Sequence, residues 1–166
     1  MPGKYFELDK ITGSFRKFLI AFILCLSIGY SYGLYYISIS SGFSSETVKE
    51  NYLGNEENET AETMKFKMSE KEVVSIIHGH IISFSLIFLA LGFLLYQSSL
   101  PAKLISILSL EPFASIILTF VGIWCMWKGI YWMKYIVILS GTVMHLVFVL
   151  SAAILLFELV KKRKSF

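Results

Sequence analysis

The sequence contains few residues of the kinds that build disulfide scaffolds, metal clusters or phosphate sites. Only two cysteines occur in 166 residues, and they show neither CxxC spacing nor the CxxCH motif that attaches c-type haem. A nucleophile elbow, an HExxH motif and a glycine-rich phosphate loop are also missing. The net charge of +3 is small and lies mainly at the two ends, which indicates membrane topology rather than nucleic-acid binding. Enzymatic activity is therefore left open.

Hydrophobic residues are what the chain has in excess. They make up 55% of the sequence, whereas soluble domains have roughly 45–50%, and they are concentrated in long runs. The length allows a single domain, residues 1–166. Cys25 and Cys125 fall inside apolar runs and are interpreted as small buried hydrophobic residues.

The apolar runs predict an all-α integral membrane protein with four transmembrane helices. The first run is longer than the apolar region of a signal peptide, so we interpret it as a retained helix. Ser69 and Glu72 form a capping box directly before the second run, which predicts where that helix starts. Short connections predict antiparallel neighbours and an up-down bundle. The predicted helices are residues 18–39, 70–97, 103–127 and 131–160, with a polar loop at 40–69.

The basic residues predict the orientation of the bundle. Nine of the fifteen Lys and Arg residues lie in the two tails and the loop between the second and third helices, and six lie on the opposite side. This asymmetry predicts that both termini are cytoplasmic and that the polar loop faces outward. The predicted location is the cell inner membrane, with lipid as the surrounding partner. Four tyrosines at the outer end of the first helix are interpreted as an interfacial aromatic belt: Tyr30, Tyr32, Tyr35 and Tyr36.

The long polar loop has two interpretations, a solvated connector or a structured cap over the mouth of the bundle. Ser44 or Ser45 is suited to cap a short helix, and Gly54 is suited to end it. Several apolar side chains in the loop favour the structured cap. Asn58-Glu-Thr60 fits a glycosylation sequon, which matters only in a eukaryotic secretory setting.

Two of the three histidines lie at the start of the second helix. His78 and His80 point about 200° apart on a helix, so they cannot both bind one metal ion. His78 shares its side of the helix with a small, polar face, which we expect to pack against other helices: Ser75, Gly79, Ser83, Ser85 and Ala90. The His80 face is bulky, and we expect it to meet lipid, the loop or a large planar cofactor.

The third histidine, His145, lies on the fourth helix and is predicted to face the bundle interior. A histidine of the second helix, His78 or His80, would lie at nearly the same depth. This predicts a cofactor site with two histidine ligands, best suited to haem b in an electron-transfer module. Copper or another metal held by these histidines, and histidines that only join helices by hydrogen bonds, are the alternatives.

Glu111 stands directly before Pro112 in the third apolar run. In one alternative a single helix carries Glu111 inside the membrane, where it would relay protons or pair with a cation. In the other, the crossing starts with Pro112 as the first helical residue, and Glu111 only favours the helix N-terminus. The first alternative would allow a small transporter, which four helices without an internal repeat fit poorly. Glu158 lies one turn before the basic tail and is expected either to extend toward the membrane surface or to pair with that tail.

The loop and the second helix together resemble a family of small bacterial four-helix membrane proteins. In that family a G-x-x-E-x-Y-x-G-like loop precedes an H-x-H at the start of the second membrane helix. Glu50, Tyr52 and Gly54 match the loop, and His78 and His80 match the H-x-H. The resemblance extends over most of the chain. It implies the four-helix architecture and a bacterial inner membrane, but no settled activity.

Two functions are therefore expected from the sequence. The first is the haem b electron-transfer module. The second is a non-catalytic interaction or assembly subunit of a larger membrane complex, or a homo-oligomer. Gly29 and Gly33 form a GxxxG pair in the first helix that favours the second function, because it permits close approach of another helix.

Overall fold

The computed structural model describes residues 6–40, 42–56 and 63–161, and these residues form helices and connecting segments without any strand. Four of the helices are long and apolar enough to cross a membrane, which confirms the predicted all-α membrane architecture. A fifth, short helix lies in the long loop. The helices are α1 Gly13–Ser40, α2 Ser45–Leu53, α3 Glu70–Tyr96, α4 Ala102–Trp127 and α5 Met133–Val160, and a 3-10 helix at Leu8–Lys10 precedes them.

The start of α3 follows the predicted capping box. The Ser69 hydroxyl accepts a hydrogen bond from the Glu72 amide, and the Glu72 carboxylate accepts one from the Ser69 amide at 2.7 Å. By contrast, α1 begins five residues before its predicted start at 18. The charged residues ahead of the apolar run continue the helix, and Arg16 among them donates to the Leu159 carbonyl at the end of α5. Hydropathy marks only the part of a helix that lies in hydrocarbon.

The core lies between α3, α4 and α5. Helix α4 packs along α5 and α3, and α1 lies mainly on α5. From α1 only Leu19, Ile23 and Tyr30 are buried. The largest fully buried side chains of the other three helices include Phe88, Leu91 and Leu95 of α3, Ile116 and Met126 of α4, and Met144, Leu155 and Leu159 of α5.

Helix α4 runs without a break through Pro112. A single helix therefore carries Glu111, and a helix that starts at Pro112 is excluded. The position of Glu111 inside the membrane stays a prediction. Glu111 lies nine residues after Ala102, which is about 14 Å along the helix.

The long loop forms a structured cap, so the interpretation as a solvated connector is wrong for its described residues. Ser44 caps α2 by accepting from the Thr47 amide at 3.1 Å, and Gly54 ends α2 with φ 78°. Helix α2 lies across α5 and α4. We call this the cap end of the molecule, defined by α2 and Met68. The sequon at Asn58 lies outside the described residues.

Backbone contacts hold the cap to the start of α3. The Met68 amide donates to the Tyr52 carbonyl at 3.1 Å, and the Trp127 indole donates to the Met68 carbonyl at 2.9 Å. A Cβ atom on Gly54 would lie 2.7 Å from the Lys65 carbonyl oxygen. Glycine is therefore required at this position both for its positive φ and for the close approach of the following segment.

The opposite end, which we call the terminal end, is closed by the residues ahead of α1. The Phe6 amide donates to the Gln97 side chain at 3.2 Å, and the Leu8 amide donates to the Gln97 carbonyl at 3.1 Å. Leu8 is fully buried. Glu158 accepts from the amide of Ser99 in the α3–α4 turn. The basic tail from residue 162 onward lies outside the described residues, so the expected pairing of Glu158 with it stays a prediction.

Candidate functional site

The His78 side of α3 lies on the outside of the bundle, contrary to the prediction. His78 is exposed, and so are Ser75, Gly79 and Ser83 on the same face. A Cβ atom on Gly79 would meet nothing within 4 Å. Ser85 and Ala90 on this face are half-buried, so the prediction that the His78 face packs inside the bundle is wrong for the part of the face that carries His78.

The bulky face of α3 is the one that packs inward. Leu91 and Leu94 are buried on this face, and the ring of Phe84 lies 6.0 Å from that of Phe120 on α4. Large apolar side chains gain more from contact with α4 than small ones do, because each methylene group adds dispersion contacts. The small face is consequently left on the outside.

His80 lies at the edge of this packed face and is itself exposed. Its ring centroid is 5.8 Å from Phe84 and 5.5 Å from Phe120. Its Nδ1 atom is 2.8 Å from the carbonyl oxygen of Ile76, one turn earlier. A carbonyl oxygen only accepts hydrogen bonds, so Nδ1 carries the proton and the neutral ring keeps its lone pair on Nε2.

His145 repeats this arrangement on α5. Its Nδ1 atom hydrogen-bonds to the carbonyl of Gly141, again one turn earlier. The ring is half-buried and lies 5.3 Å from the ring of Tyr30 in a T-shaped contact. The inward orientation predicted for His145 agrees with these contacts, and its Nε2 is also the free nitrogen.

An aromatic cluster connects the two histidines. The ring of Tyr30 lies 6.0 Å from Phe84 and stacks on Phe148 at 3.6 Å. Ring contacts thus run from His80 through Phe84 and Tyr30 to His145. Tyr30 is buried, so it does not belong to an aromatic belt, whereas Tyr32, Tyr35 and Tyr36 are exposed. Its hydroxyl has no hydrogen-bond partner in the described part of the chain.

Sequence reasoning missed Tyr30 as a member of this cluster. The signal that could have found it is helical spacing, since Leu19, Ile23 and Tyr30 recur on one side of α1. The chain brings His80 and His145 to the same cluster and leaves His78 outside it. No group of three metal-ligating side chains occurs in the residues described, and ligation by two histidines stays a prediction.

Glu111 begins a row of polar residues along α4, which meets α5 at Ser140. The Ser115 hydroxyl donates to one oxygen of Glu111, and the other oxygen is buried without a hydrogen-bond partner among the described residues. Two turns after Glu111, Thr119 and Ser140 share a buried hydrogen bond at 2.7 Å. Hydroxyl groups of this kind join membrane helices, so the Thr119–Ser140 pair has a structural explanation.

The predicted loop motif belongs to the cap. None of the histidine contacts described above involves Glu50, Tyr52 or Gly54. The Glu50 carbonyl accepts from the Gly54 amide at 2.9 Å and ends α2. Burial raises the pKa of Tyr52 to about 12, and the neighbouring Tyr36 adds to the shift. The contacts of this motif hold the cap together.

A second small face lies on the outside of α1. Ala21, Cys25, Gly29 and Gly33 recur every four residues and are all exposed. A Cβ atom on either glycine would meet nothing within 4 Å. Cys25 is exposed and Cys125 is half-buried, so the prediction that both are buried is wrong for Cys25.

Comparison with known proteins gives one family match. Residues 42–166 match the model of a family described as a transmembrane helical domain. No curated protein and no solved structure matches the chain. The matched region contains the cap, α3, α4 and α5, including all three histidines.

Proposed function

The chain belongs to the Aq_1264_TM family of transmembrane helical domains, and from this premise we propose that it is an interaction subunit that self-associates in the membrane. The proposed contact joins the small face of α3, defined by Ser75, His78, Gly79 and Ser83, to the α1 face of a second copy. The proposed role is to assemble copies of this chain in the membrane, without catalysis.

The observation that supports the proposal is the outward position of His78. It lies eight residues into α3, about 12 Å from the helix start, and has no hydrogen-bond or ring contact among the described residues. Ionisable side chains at this depth are costly in lipid, which offers no hydrogen-bond partner. A neighbouring helix supplies such a partner, whereas hydrocarbon does not.

The small residues on both faces make close contact between helices possible. Gly79 lies nine residues from the cap end of α3, and Gly29 lies eleven residues from the cap end of α1. At 1.5 Å per residue both glycines are about 14–17 Å from that end. An antiparallel pair would therefore place Gly79 against Gly29 and Ser83 near Cys25, and small residues let the two backbones approach.

This arrangement is heterologous, because α3 of one copy meets α1 of the next. Such contacts close into rings or extend into chains. The packing inside one copy leaves both faces available. In particular, α1 contacts its own bundle through the side of the helix that carries Leu19, Ile23 and Tyr30, and not through Gly29 or Gly33.

Disulfide cross-linking tests the proposed pairing. We would introduce Ser83→Cys in a Cys125→Ser background and add a mild oxidant to native membranes, so that two thiols are oxidised to one disulfide. The expected product is a series of covalent oligomers that begins with the dimer of the 18.9 kDa chain and that also requires Cys25. Leu89→Cys is the matched control, since Leu89 is exposed on another side of α3. Equal dimer yields from the two variants, or adducts with a different protein, would refute self-association through this face.

A second variant distinguishes loss of the contact between copies from misfolding of the single chain. Gly79→Leu adds a large side chain where nothing lies within 4 Å, so the monomer should fold normally while the dimer yield falls about tenfold, equivalent to ~1.4 kcal/mol. Gly141→Leu is the control, because Gly141 also has no atom near its Cβ position but lies on α5. An unchanged dimer yield in Gly79→Leu would contradict the proposal.

The second candidate function is haem b binding for electron transfer. The observation in its favour is the hydrogen bond that each of His80 and His145 makes from Nδ1 to a carbonyl oxygen. Nε2 of each ring is then left to bind iron. The arrangement of the aromatic rings is an observation against it, because the side chains of Phe84 and Tyr30 lie between the two histidines. A haem bound by both would require these rings to move.

An absorption spectrum tests this candidate. Protein purified after haem-replete expression and then reduced should show a Soret band and an α-band. His80→Ala or His145→Ala should remove or shift these bands, whereas His78→Ala should not. A spectrum without either band would exclude haem b, and it would leave the cross-linking result unaffected.

A further inference from the structure

Glu111 is a carboxylate on an apolar helix. The Ser115 hydroxyl donates to its Oε1 atom, while its Oε2 atom is buried without a hydrogen-bond partner among the described residues. None of the ion pairs in the ranges 6–40, 42–56 and 63–161 involves Glu111. A buried carboxylate is costly unless it is paired. Neither the proposed self-association nor the haem candidate supplies a cation to it, so Oε2 is expected to have a ligand of its own.

Pro112 deprives a neighbouring backbone oxygen of its regular donor. In an α-helix the carbonyl of residue 108 accepts from the amide of residue 112, but proline has no N–H group. Helix α4 nevertheless continues through Pro112, and a carbonyl freed in this way within a membrane needs another partner. Leu108 is buried and precedes Glu111 by three residues. The two residues are therefore neighbours on one face of α4.

Helix α5 supplies a third oxygen atom at the same level. Helices α4 and α5 run antiparallel and share the hydrogen bond between Thr119 and Ser140. Leu108 and Ser151 each lie eleven residues from this pair toward the terminal end. Eleven residues are about three helical turns, so Leu108 and Ser151 occupy matching positions on the two helices. Ser151 is 1% exposed, and its hydroxyl has no hydrogen-bond partner in the described part of the chain.

This layer of oxygen atoms belongs to the interior of the two helices. Ser151 lies nine residues before Val160, about 14 Å from the end of α5, and Glu111 lies equally far from the start of α4. The faces proposed for self-association are on α1 and α3, so they contribute none of the three oxygen atoms. The layer therefore needs an explanation separate from the proposed function.

We propose that the Glu111 carboxylate, the Leu108 carbonyl and the Ser151 hydroxyl bind one Na⁺ ion inside the membrane. Hard cations take oxygen ligands from carboxylates and carbonyl groups, and secondary transporters bind Na⁺ with the backbone carbonyls of interrupted helices. One monovalent cation neutralises the single negative charge of Glu111, whereas a divalent cation leaves a net buried charge. The Ser115 hydroxyl holds Oε1 and leaves Oε2 for the ion.

Equilibrium binding tests the proposal on the full chain. Purified protein in detergent micelles is titrated with radioactive Na⁺, with choline chloride keeping the ionic strength constant. We expect saturable binding of one Na⁺ per chain. K⁺ should displace the label about tenfold less well than unlabelled Na⁺, because the smaller ion approaches the carboxylate more closely. Absence of saturable binding, or equal displacement by K⁺, would overturn the assignment.

Side-chain variants identify the ligands. Glu111→Gln should abolish Na⁺ binding, and Ser151→Ala should lower the affinity about tenfold. Glu70→Gln is the charge control, because Glu70 lies in the first turn of α3 at the cap end. Ser109→Ala is the hydroxyl control, since the Ser109 hydroxyl is also buried without a partner among the described residues but lies against Gly92 of α3. Unchanged affinity in Glu111→Gln or Ser151→Ala, or equal losses in the two controls, would overturn the site.

A backbone variant distinguishes a ligand from a structural role. In Pro112→Ala the new amide donates to the Leu108 carbonyl and restores the regular hydrogen bond of α4. The affinity for Na⁺ should fall about tenfold, although the helix itself gains a hydrogen bond. Circular dichroism in choline chloride shows that the helices remain folded. Wild-type affinity in folded Pro112→Ala would overturn the assignment of the Leu108 carbonyl as a ligand.

Discussion

The ring of Tyr30 on α1 stacks on the ring of Phe148 on α5, with centroids 3.6 Å apart and planes within 5° of parallel. The same tyrosine contacts Phe84 of α3 and His145. Because α1 buries only two other side chains, Leu19 and Ile23, Tyr30 is its main connection to the middle of the bundle.

Truncation of this ring should loosen α1. We expect Tyr30→Ala to lower the free energy of unfolding by about 3–5 kcal/mol, the range for loss of a large buried ring. Tyr30→Phe should cost almost nothing, because the buried hydroxyl has no partner among the described residues and burial of an unpaired hydroxyl is itself unfavourable. Unfolding by denaturing detergent measures both. A large loss in Tyr30→Phe would reveal an undetected partner of the hydroxyl.

The buried hydrogen bond between Thr119 and Ser140 should show measurable coupling. Ser140 donates its single proton to the Ile136 carbonyl at 2.7 Å, so Thr119 is the donor to Ser140. A double-mutant cycle of Thr119→Val and Ser140→Ala should give a coupling energy of about 0.6–1.7 kcal/mol. Ser109→Ala serves as the control for serine removal, since the Ser109 hydroxyl has no partner in the described residues. Zero coupling would mean that the bond does not hold the helices together.

Substitution of Gly54 should detach the cap. In Gly54→Ala the added Cβ would lie 2.7 Å from the Lys65 carbonyl oxygen, at a position with φ 78°. We expect a cost of about 1–3 kcal/mol, seen as faster hydrogen exchange at the Met68 amide. Gly129→Ala is the control for backbone strain alone, because Gly129 has φ 108° but no atom within 4 Å of its Cβ position. Equal effects of the two substitutions would show that the close approach at Gly54 is unimportant.

The cap should also lose stability at alkaline pH. Burial raises the pKa of Tyr52 from 10.0 to about 12. As the pH rises, the Tyr52 hydroxyl therefore ionises at a lower pH when the cap is detached than when it is packed. The stabilisation is complete below pH 10 and is lost between about pH 10 and 12, by up to about 2–3 kcal/mol. Trp127 fluorescence monitors this change, because its indole hydrogen-bonds to Met68 in the cap.

Tyr52→Phe should remove this part of the pH dependence, while Tyr131→Phe at the same end should not, since Tyr131 is exposed. If the stability of the cap in Tyr52→Phe still falls by the full amount between pH 10 and 12, another titrating group causes the loss.

Elements marked by local signals were predictable from the sequence. The capping box of Ser69 and Glu72 gave the start of α3 to the residue, and Ser44 and Gly54 bounded α2. These signals act within one helical turn, through hydrogen bonds that a short peptide already contains. Arg16 shows the limit, because its contact with Leu159 joins residues far apart in the chain.

The direction of each helix face was harder to predict. A helical wheel separated His78 from His80, but the rule that small residues pack inward gave the wrong face of α3. The facing helix decides the outcome, and Phe120 of α4 contacts Phe84 and His80 rather than the glycine side. Tyr30 was likewise assigned to an interfacial belt, although α3 and α5 provide aromatic partners for it inside the bundle.

By itself the sequence determined that this protein is a membrane protein with four crossings, where α3 begins, and that its three histidines lie in apolar helices. Hydrophobic run length and local capping are properties of the chain alone. Only the tertiary structure decided that the loop is a cap, that His80 and His145 share an aromatic cluster, and that His78 faces outward. Those results depend on which side chains of separate helices fit together, and contact energies between residues distant in sequence cannot be read from either residue alone.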